Sequence, residues 1–397
     1  MREGSPAEVL LASLRLGLTS FGGPIAHLGY FRREYVERRR WLDEQAYADL
    51  VALCQFLPGP ASSQLGIAIG TRRAGLSGGV AAWLGFTLPS AVLLAGFGLL
   101  ATSTDLSGSG WVHGLKLAAV AVVAQAVVLM AIALTPDWPR RILAAAAAIV
   151  ALAWATPLSQ VAIIAGGAIL GWALIAPRPL PDSNGEPSPV SRRVGLVALA
   201  GFAALLVGLP LLATISGSQT IAEFESMYRS GALVFGGGHV VLPLLQASVV
   251  DPGWVSQTQF LAGYGAAQAA PGPLFTVAAY LGAVSSVPPT GWIGAAICLV
   301  GVFLPSFLLI WGALPFWEPL RRSVGFGRAL SGTDAAVVGL LAAALYSPLW
   351  VGAVVDWLDA LIALSAFALL AVLRLPPVVV VGLCAIVGQA VMMSPVR

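Results

Sequence analysis

FGGPIAHLGYFRREYVERRRWLDEQAYADLVALCQFLPGP, residues 21–60, recurs in outline in the second half of the chain. The first copy carries Arg15, Phe21-Gly22-Gly23-Pro24, Trp41, Gln55, Pro58-Gly59-Pro60 and Leu88-Pro89-Ser90. The second carries Arg229, Phe235-Gly236-Gly237-Gly238, Trp254, Gln268, Pro271-Gly272-Pro273 and Leu304-Pro305-Ser306, in the same order. One residue is dropped between the FGG and Trp landmarks, and three are added before Leu-Pro-Ser. Duplication in an apolar chain marks a membrane protein built from two repeats around one central site.

Composition agrees. Of 397 residues, 58% are hydrophobic and 10% charged, and the mean hydropathy is +0.87. Soluble chains carry about 25% charged residues. The runs 78–101, 115–134, 194–213 and 360–373 with its flanks approach the roughly 20 apolar residues that a span needs. The chain therefore reads as an all-α polytopic membrane protein. Its net charge of +3 lies in loops, where it sets topology and implies no nucleic-acid partner. Cys54, Cys298 and Cys384 sit in apolar surroundings without metal-ligand spacing, and read as small buried hydrophobes. No P-loop, HExxH, GxSxG or CxxC pattern is present, so neither a catalytic motif nor a cofactor is expected. Met1 to Pro6 lacks a signal-peptide layout, which predicts insertion through the chain's own helices.

The repeats divide the chain into 1–176, a Pro-rich polar linker at 177–193, a connecting helix at 194–217, and 218–397. Basic residues assign the orientations. The loop 32–40 holds five arginines, whereas its counterpart 246–257 holds none. Arg72 and Arg73 face a bare 285–290, and the bare 102–110 faces Arg321, Arg322 and Arg328. Arg140 and Arg141 face a bare 346–357, and the bare 156–160 faces Arg374. The bias flips at each corresponding loop, so the repeats are expected to be inverted. The N-terminus and linker are then cytoplasmic and the C-terminus lies outside.

Segment lengths predict re-entrant hairpins. Residues 44–56 and 61–71 flank Pro58-Gly59-Pro60. At ~1.5 Å per residue each arm covers about half of a ~30 Å core. Residues 7–31, broken at Gly22-Gly23-Pro24, read the same way, and the second copy supplies two more hairpins. Full spans are expected near 78–101, 111–134, 139–155, 158–175, 194–213, 291–316, 328–345, 357–373 and 376–393.

Irregular backbone at membrane depth must be buried in protein or reached by water. Each break starts a half-helix whose free N–H groups suit an anion. The expected anion contacts are Gly22, Gly23, Pro24, Gly59, Pro60, Gly236, Gly237, Gly238, Gly272 and Pro273. Ser62, Ser63 and Thr276 add hydroxyls, and Gln55 and Gln268 add amides; capping of their own helices is the alternative. Arg15 and Arg229 match six residues before each FGG, where they serve the anion or snorkel to an interface. His27 and His239 lie near the breaks as donors or proton carriers. Lys116 and Asp334, each near a helix start, read as interfacial or ion-coupling groups. Gly66-x-x-x-Gly70 and Gly167-x-x-x-Gly171 read as packing seams.

The two FGG…PGP strings resemble the first- and second-domain signatures of the chromate ion transporter family, long two-domain type. The resemblance covers both halves, with Gly238 standing where the first copy has Pro24. It implies secondary active export of chromate with sulfate as the related dianion, membrane lipid as surroundings, and resistance to chromate. A homodimer is compatible with the sequence. The competing readings are a passive anion channel and a membrane-embedded enzyme.

Overall fold

The computed structural model describes residues 4–103, 109–154, 157–176, 188–234, 241–321 and 323–393. Among the described residues the regular structure is helical, with no strand. Five helices have the length and apolar composition to cross a bilayer: Ala61–Thr102, Gly110–Leu134, Arg192–Ser216, Gly291–Leu320 and Val324–Ala353. Shorter apolar helices add to these at Ser159–Leu174, Leu274–Val284, Trp357–Ala371 and Pro377–Met393. The chain is a multi-pass membrane protein. All nine expected spans fall on helices, five of them meeting both criteria.

The first copy runs through α1 (Pro6–Thr19), α2 (Gly23–Phe31), a wider-wound turn at Arg32–Arg38, α3 (Glu44–Phe56) and α4 (Ala61–Ser103). It continues through α5 (Gly110–Leu134), α6 (Trp138–Ala153) and α7 (Pro157–Leu174). The connecting helix is α8 (Arg192–Ser216). The second copy runs through α9 (Gln219–Ala232), α10 (Val241–Val249), α11 (Gln257–Ala269), a tight turn at Leu274–Thr276 and α12 (Val277–Val284). Then follow α13 (Gly291–Ala313), α14 (Trp317–Arg321), α15 (Val324–Ala344), α16 (Val351–Ala353), α17 (Trp357–Ala371) and α18 (Pro377–Met393).

The copies agree in local detail. Helices α1 and α9 each have 14 residues, and α3 and α11 each have 13. Asp43 caps α3 by accepting from the Ala46 amide, and Ser256 caps α11 in a reciprocal box with Gln259. Asp137 and Asp356 cap α6 and α17. One difference is that the second arm after the PGP tip opens as a tight 3₁₀ turn, where the first opens directly as α-helix.

Helix α4 is interrupted at Ala74 and Gly75, where Gly75 takes φ +68°. The arm 61–73 there folds back along the span that follows: a Cβ on Gly78 would overlap the Gly70 carbonyl oxygen. The second copy repeats this at Gly291, φ +65°, where a Cβ on Gly294 would overlap the Gly282 carbonyl oxygen.

Contacts tie the arginine-bearing segments together. The Gly4 amide donates to the Arg73 carbonyl at 3.2 Å. Glu8 pairs with Arg73 at 3.1 Å and lies 3.9 Å from Arg39. Both guanidinium groups lie 5.2 Å from the Trp41 ring centroid. Arg40 and Asp43, flanking the start of α3, share a surface cleft with Arg72 near the end of the 61–73 arm. The start of α1, the loop 39–43 and the end of the 61–73 arm thus lie side by side. Trp317 Nε1 donates to Asp49 at 3.0 Å, and the Pro315 ring lies against Gly195 near the start of α8. Arg140 donates to the Ala176 carbonyl at 2.7 Å, and the Arg328 carbonyl lies against Gly171. Away from these segments, His113 and Asp359 bring the starts of α5 and α17 together at 2.7 Å.

Lipid tails give helices little hydrophobic reason to associate, so small residues and close backbone contact must hold them. Gly167 and Gly171 meet Gly332, as the spacing predicts, whereas Gly66 meets nothing nearer than Phe31 at 3.7 Å. Gly114 meets the Cys384 carbonyl, and Gly110 meets Gly388. Cys54, Cys298 and Cys384 are buried free thiols. Asp334 lies in the middle of α15 and is buried, not at a helix start, because α15 begins earlier than the sequence predicts. Most of the linker, 177–187, lies outside the described residues.

Replacing Gly114 by Leu forces a side chain onto the Cys384 backbone. Overpacking of this kind costs about 1–3 kcal/mol. Thermal unfolding of the purified protein in detergent should shift down by several degrees, while Gly166→Leu, at a site with nothing within 4 Å, should leave it near wild type.

Candidate functional site

Breaking a helix strands its last carbonyls and the next helix's first amides. At the end of α1 the Ser20 amide returns to the Leu16 carbonyl at 2.8 Å, and Ser20 is extended. Gly22 and Gly23 then take φ +100° and +77°, and α2 begins. At the other tip Leu57 is extended and Gly59 takes φ +126°; in the second copy Gly272 takes φ +88°. Only glycine adopts such values without strain.

The stranded groups are satisfied across the copies. The Gly59 amide donates to the Val234 carbonyl at 2.6 Å. The Gly272 amide donates to the Ser20 carbonyl at 2.9 Å. Each PGP tip of one copy thereby binds the residue just before the FGG of the other. The Leu-Pro-Ser serines follow the same exchange. A Cβ on Gly59 would lie 3.1 Å from Ser306 Oγ, and one on Gly272 would lie 2.9 Å from Ser90 Oγ.

Around these tips polar side chains are buried without protein partners. They include Ser20 Oγ, both ring nitrogens of His27, Ser63 Oγ, Gln64 Oε1, Thr87 Oγ1 and Ser306 Oγ. His27 is 1% exposed and meets the Phe86 ring edge-on at 5.3 Å. Buried polar groups are nearly always paired, so a run of orphans at one place calls for a ligand or water. Gln64 Nε2 closes on the Pro58 carbonyl at 2.6 Å, and Thr276 Oγ1 on the Pro273 carbonyl at 2.7 Å. Ser90 Oγ donates to the Thr87 carbonyl at 3.1 Å.

The expected site residues divide. Gly22, Gly23, Gly59, Pro60, Ser62, Ser63, His27, Gly272, Pro273 and Thr276 lie at or beside the joined tips. Thr276 caps its own turn, while its counterpart Ser63 is unpartnered. Gln268 is half-buried near Tyr264 with Nε2 unpartnered, but Gln55 is exposed. Arg15 lies on the exposed face of α1 with Leu11, Leu14 and Leu18, turned from the packed face of Ala12, Ser13, Leu16 and Gly17. Arg229 is held by Glu225 at 3.1 Å, so the matched arginines have different surroundings. Gly236, Gly237, Gly238 and His239 lie outside the described residues, as does the side chain of Pro24. Ser20, Gln64, Thr87, Ser90 and Ser306 join the site unforeseen, although the duplicated Leu-Pro-Ser was a sequence signal for the last two. Among the described residues no group of His, Cys, Asp and Glu is arranged to hold a metal.

A transporter-family model, that of the chromate transporter, matches residues 7–172 and again 221–389. The chain belongs to the chromate transporter family. The two matched stretches coincide with the two copies that exchange hydrogen bonds at the tips. Among relatives, the chain is similar to the chromate transport protein of Pseudomonas aeruginosa, 31% identical over 344 residues, 83% of this chain and 78% of the relative. It is similar to a probable chromate transport protein of Synechococcus elongatus, 29% identical over 84% of this chain and 81% of the relative. The chromate transport protein of Cupriavidus metallidurans is 27% identical over 91% and 87%. No solved structure gives a significant match.

In this family member the orphaned hydroxyls support no other protein group. Ser63→Ala and Ser306→Ala remove buried hydroxyls that have no partner and should therefore not destabilise the fold. Thermal unfolding within about 2 °C of wild type would bear this out, and a large loss would mean that the hydroxyls hold the fold.

Proposed function

We propose that the chain is a secondary active exporter of chromate, with the dianion bound where the four breaks meet. The observation that carries this reading is the reciprocal pair of hydrogen bonds, Gly59 to Val234 and Gly272 to Ser20. It makes one centre from two copies and gathers unpartnered hydroxyls around it. Half-helix amides, Ser63, Ser306, His27 and Gln268 supply donors without a fixed full charge, and Thr276, whose hydroxyl is spent on Pro273, steadies the second tip. Arg15 and Arg229, each six residues before its FGG, serve as access charges.

The proposal includes inverted repeats, 1–176 and 218–397, joined through 177–193 and 194–217. Two observations support it. The arginine-bearing segments of both copies are linked by contacts at one end. The start of α5 also meets the start of α17, the second copy's counterpart of α6. Helix α6 follows α5 after a short turn and runs back, so side-by-side starts of α5 and α17 fit opposite orientations. The arginine end is then cytoplasmic in the cell membrane, with the N-terminus and linker there and the C-terminus outside. Arms that return to their own end fit re-entrant hairpins.

Transport follows if one pair of hairpins rocks against the other, exposing the centre to alternate sides. An inside-negative potential drives a dianion outward with about 4.6 kcal/mol per 100 mV, at about 2.3 per charge. Purified protein in vesicles should accumulate chromate uphill and saturably when voltage alone is imposed. Flux that does not saturate would indicate a channel, which the same voltage also drives, and preferred sulfate flux would change the substrate. Chromate recovered in reduced form would indicate an enzyme. Ser63→Ala and Ser306→Ala should each lower flux about tenfold or more, since a hydrogen bond to a charged group is worth about 1.5–3 kcal/mol.

Arg33 and Asp251 are both exposed. In a cysteine-free background, Arg33→Cys and Asp251→Cys should react with impermeant thiol reagents from opposite sides of the membrane. Reaction from the same side would rule out the inverted arrangement.

A further inference from the structure

We infer that Glu223 and Ser285 bind a single positive charge, a proton or a sodium ion, at the end of the second copy away from the arginines. Helix α8 starts near Pro315, among the arginine-bearing segments. It runs 25 residues, about 37 Å at ~1.5 Å per residue, and so delivers the start of α9 to the other end. Glu223 lies in the second turn of α9 and is 2% exposed. Its Oε1 accepts from Ser285 Oγ at 2.9 Å, and its Oε2 is buried with no partner. Ser285 Oγ also lies 3.1 Å from the Val287 carbonyl oxygen. A carboxylate, a hydroxyl and a carbonyl thus converge between α9 and the turn that follows α12. One turn earlier on α9, Gln219 has a buried Nε2 that also lacks a partner.

A carboxylate taken out of water needs a positive charge beside it or a proton on it. Among the described residues no basic group is placed to meet that need. Helix α13 packs on α9 without a charged residue, and its buried Cys298, near Glu223, is a neutral thiol at neutral pH. Helix α10 and the loop 285–290 carry no charge either. Helix α8 has Arg192 and Arg193, both at its start, a full helix length away. On α9 itself Arg229 is taken by Glu225 at 3.1 Å. Tyr228 and Tyr280 spend their hydroxyls on the Phe202 and Gln259 carbonyls. The Ser286 amide donates to the Trp254 carbonyl at 2.8 Å, which brings in the turn of Asp251, an exposed further acid. The first copy reverses these charges. Val9, fully buried, stands where the second copy has Glu223, and Arg72 and Arg73 match the bare 285–290.

Helix α9 leads to the second FGG, and α12 leads away from the second PGP. A cation on Glu223 and Ser285 therefore ties the two broken segments of this copy together at their far ends. Its occupancy biases any movement of these arms, by as much as the cation prefers the joined arrangement. In the transport reading, dianion export is thereby linked to a cation taken from the opposite side of the membrane.

The first readout does not depend on transport. The full-length protein in detergent is unfolded by heat in sodium or choline chloride at equal ionic strength, and in choline chloride from about pH 5.5 to 8. Glu223→Gln keeps a partner for Ser285 without the charge. Sodium, or the lower pH, should raise the unfolding temperature of wild type by about 2 °C or more beyond any rise in Glu223→Gln. A sodium response assigns a sodium ion, and a response to pH alone assigns a proton. Ser285→Ala should need about tenfold more of the same cation for the same rise. Equal responses of wild type and Glu223→Gln in both series overturn the site, as does a Ser285→Ala protein that needs no more cation than wild type. The second readout, chromate flux in vesicles, rests on the transport reading above. The same cation should change wild-type flux about fivefold or more and leave Glu223→Gln flux level. Wild-type flux that ignores a cation the protein binds would overturn the link to export. Absent wild-type flux would sink the transport reading alone, and the unfolding temperatures would still decide the site.

Discussion

A polypeptide that interrupts its helices away from water must find partners for the amides and carbonyls it frees. Here each copy supplies what the other lacks. The amide of Gly59 meets the carbonyl before the second FGG, and the amide of Gly272 meets the carbonyl before the first. The positive φ angles at Gly22, Gly23, Gly59 and Gly272 aim these groups, and the close approach of Gln64 to Gly59 and of Ser90 to Gly272 crowds out a side chain on either PGP glycine. Packing of the flanking helices follows from this centre. The arms after the PGP tips fold back at Gly75 and near Gly291 along the spans that carry Ser90 and Ser306.

The two copies share a plan but not an electrostatic environment. Glu225 and Arg229 pair on α9, whereas α1 offers Leu11 and an exposed Arg15 at the corresponding positions. Helix α8 packs on α9 and α13 and has no counterpart in the first copy, so the matching face of α1 shows Leu10, Leu11, Leu14 and Leu18. Among the described residues the bridge of His113 to Asp359 has no counterpart between the matching helices.

The breaks, the duplicated order and the helix positions were legible in the sequence because local chemistry sets them. Clustered glycine and proline end and restart helices at FGG and PGP, whereas the single Pro89, Pro210 and Pro305 stay inside theirs, and Asp43, Ser256, Asp137 and Asp356 cap helices by rules that need three or four residues. Side-chain direction was not legible. Arg15 and Arg229 match by position, yet which face of a 14-residue helix meets the interior depends on what packs beside it. Gln55 and Gln268 part for the same reason. Ser20 and Ser306 meet the other copy's tip across hundreds of residues, a pairing at which only the duplicated Leu-Pro-Ser hinted, and His113 had no repeat partner to draw attention to it.

The exchanged hydrogen bonds carry a consequence for the history of such chains. A polypeptide with a single copy would own the Gly59 donor and the Ser20 acceptor, yet could not join them to each other in this geometry. It would be complete only upon meeting another half. Fusion of two halves into one gene product would then change the concentration at which they meet, not the bonds they make. Any later drift in one half would be tolerated only where the other half's loose ends stayed covered.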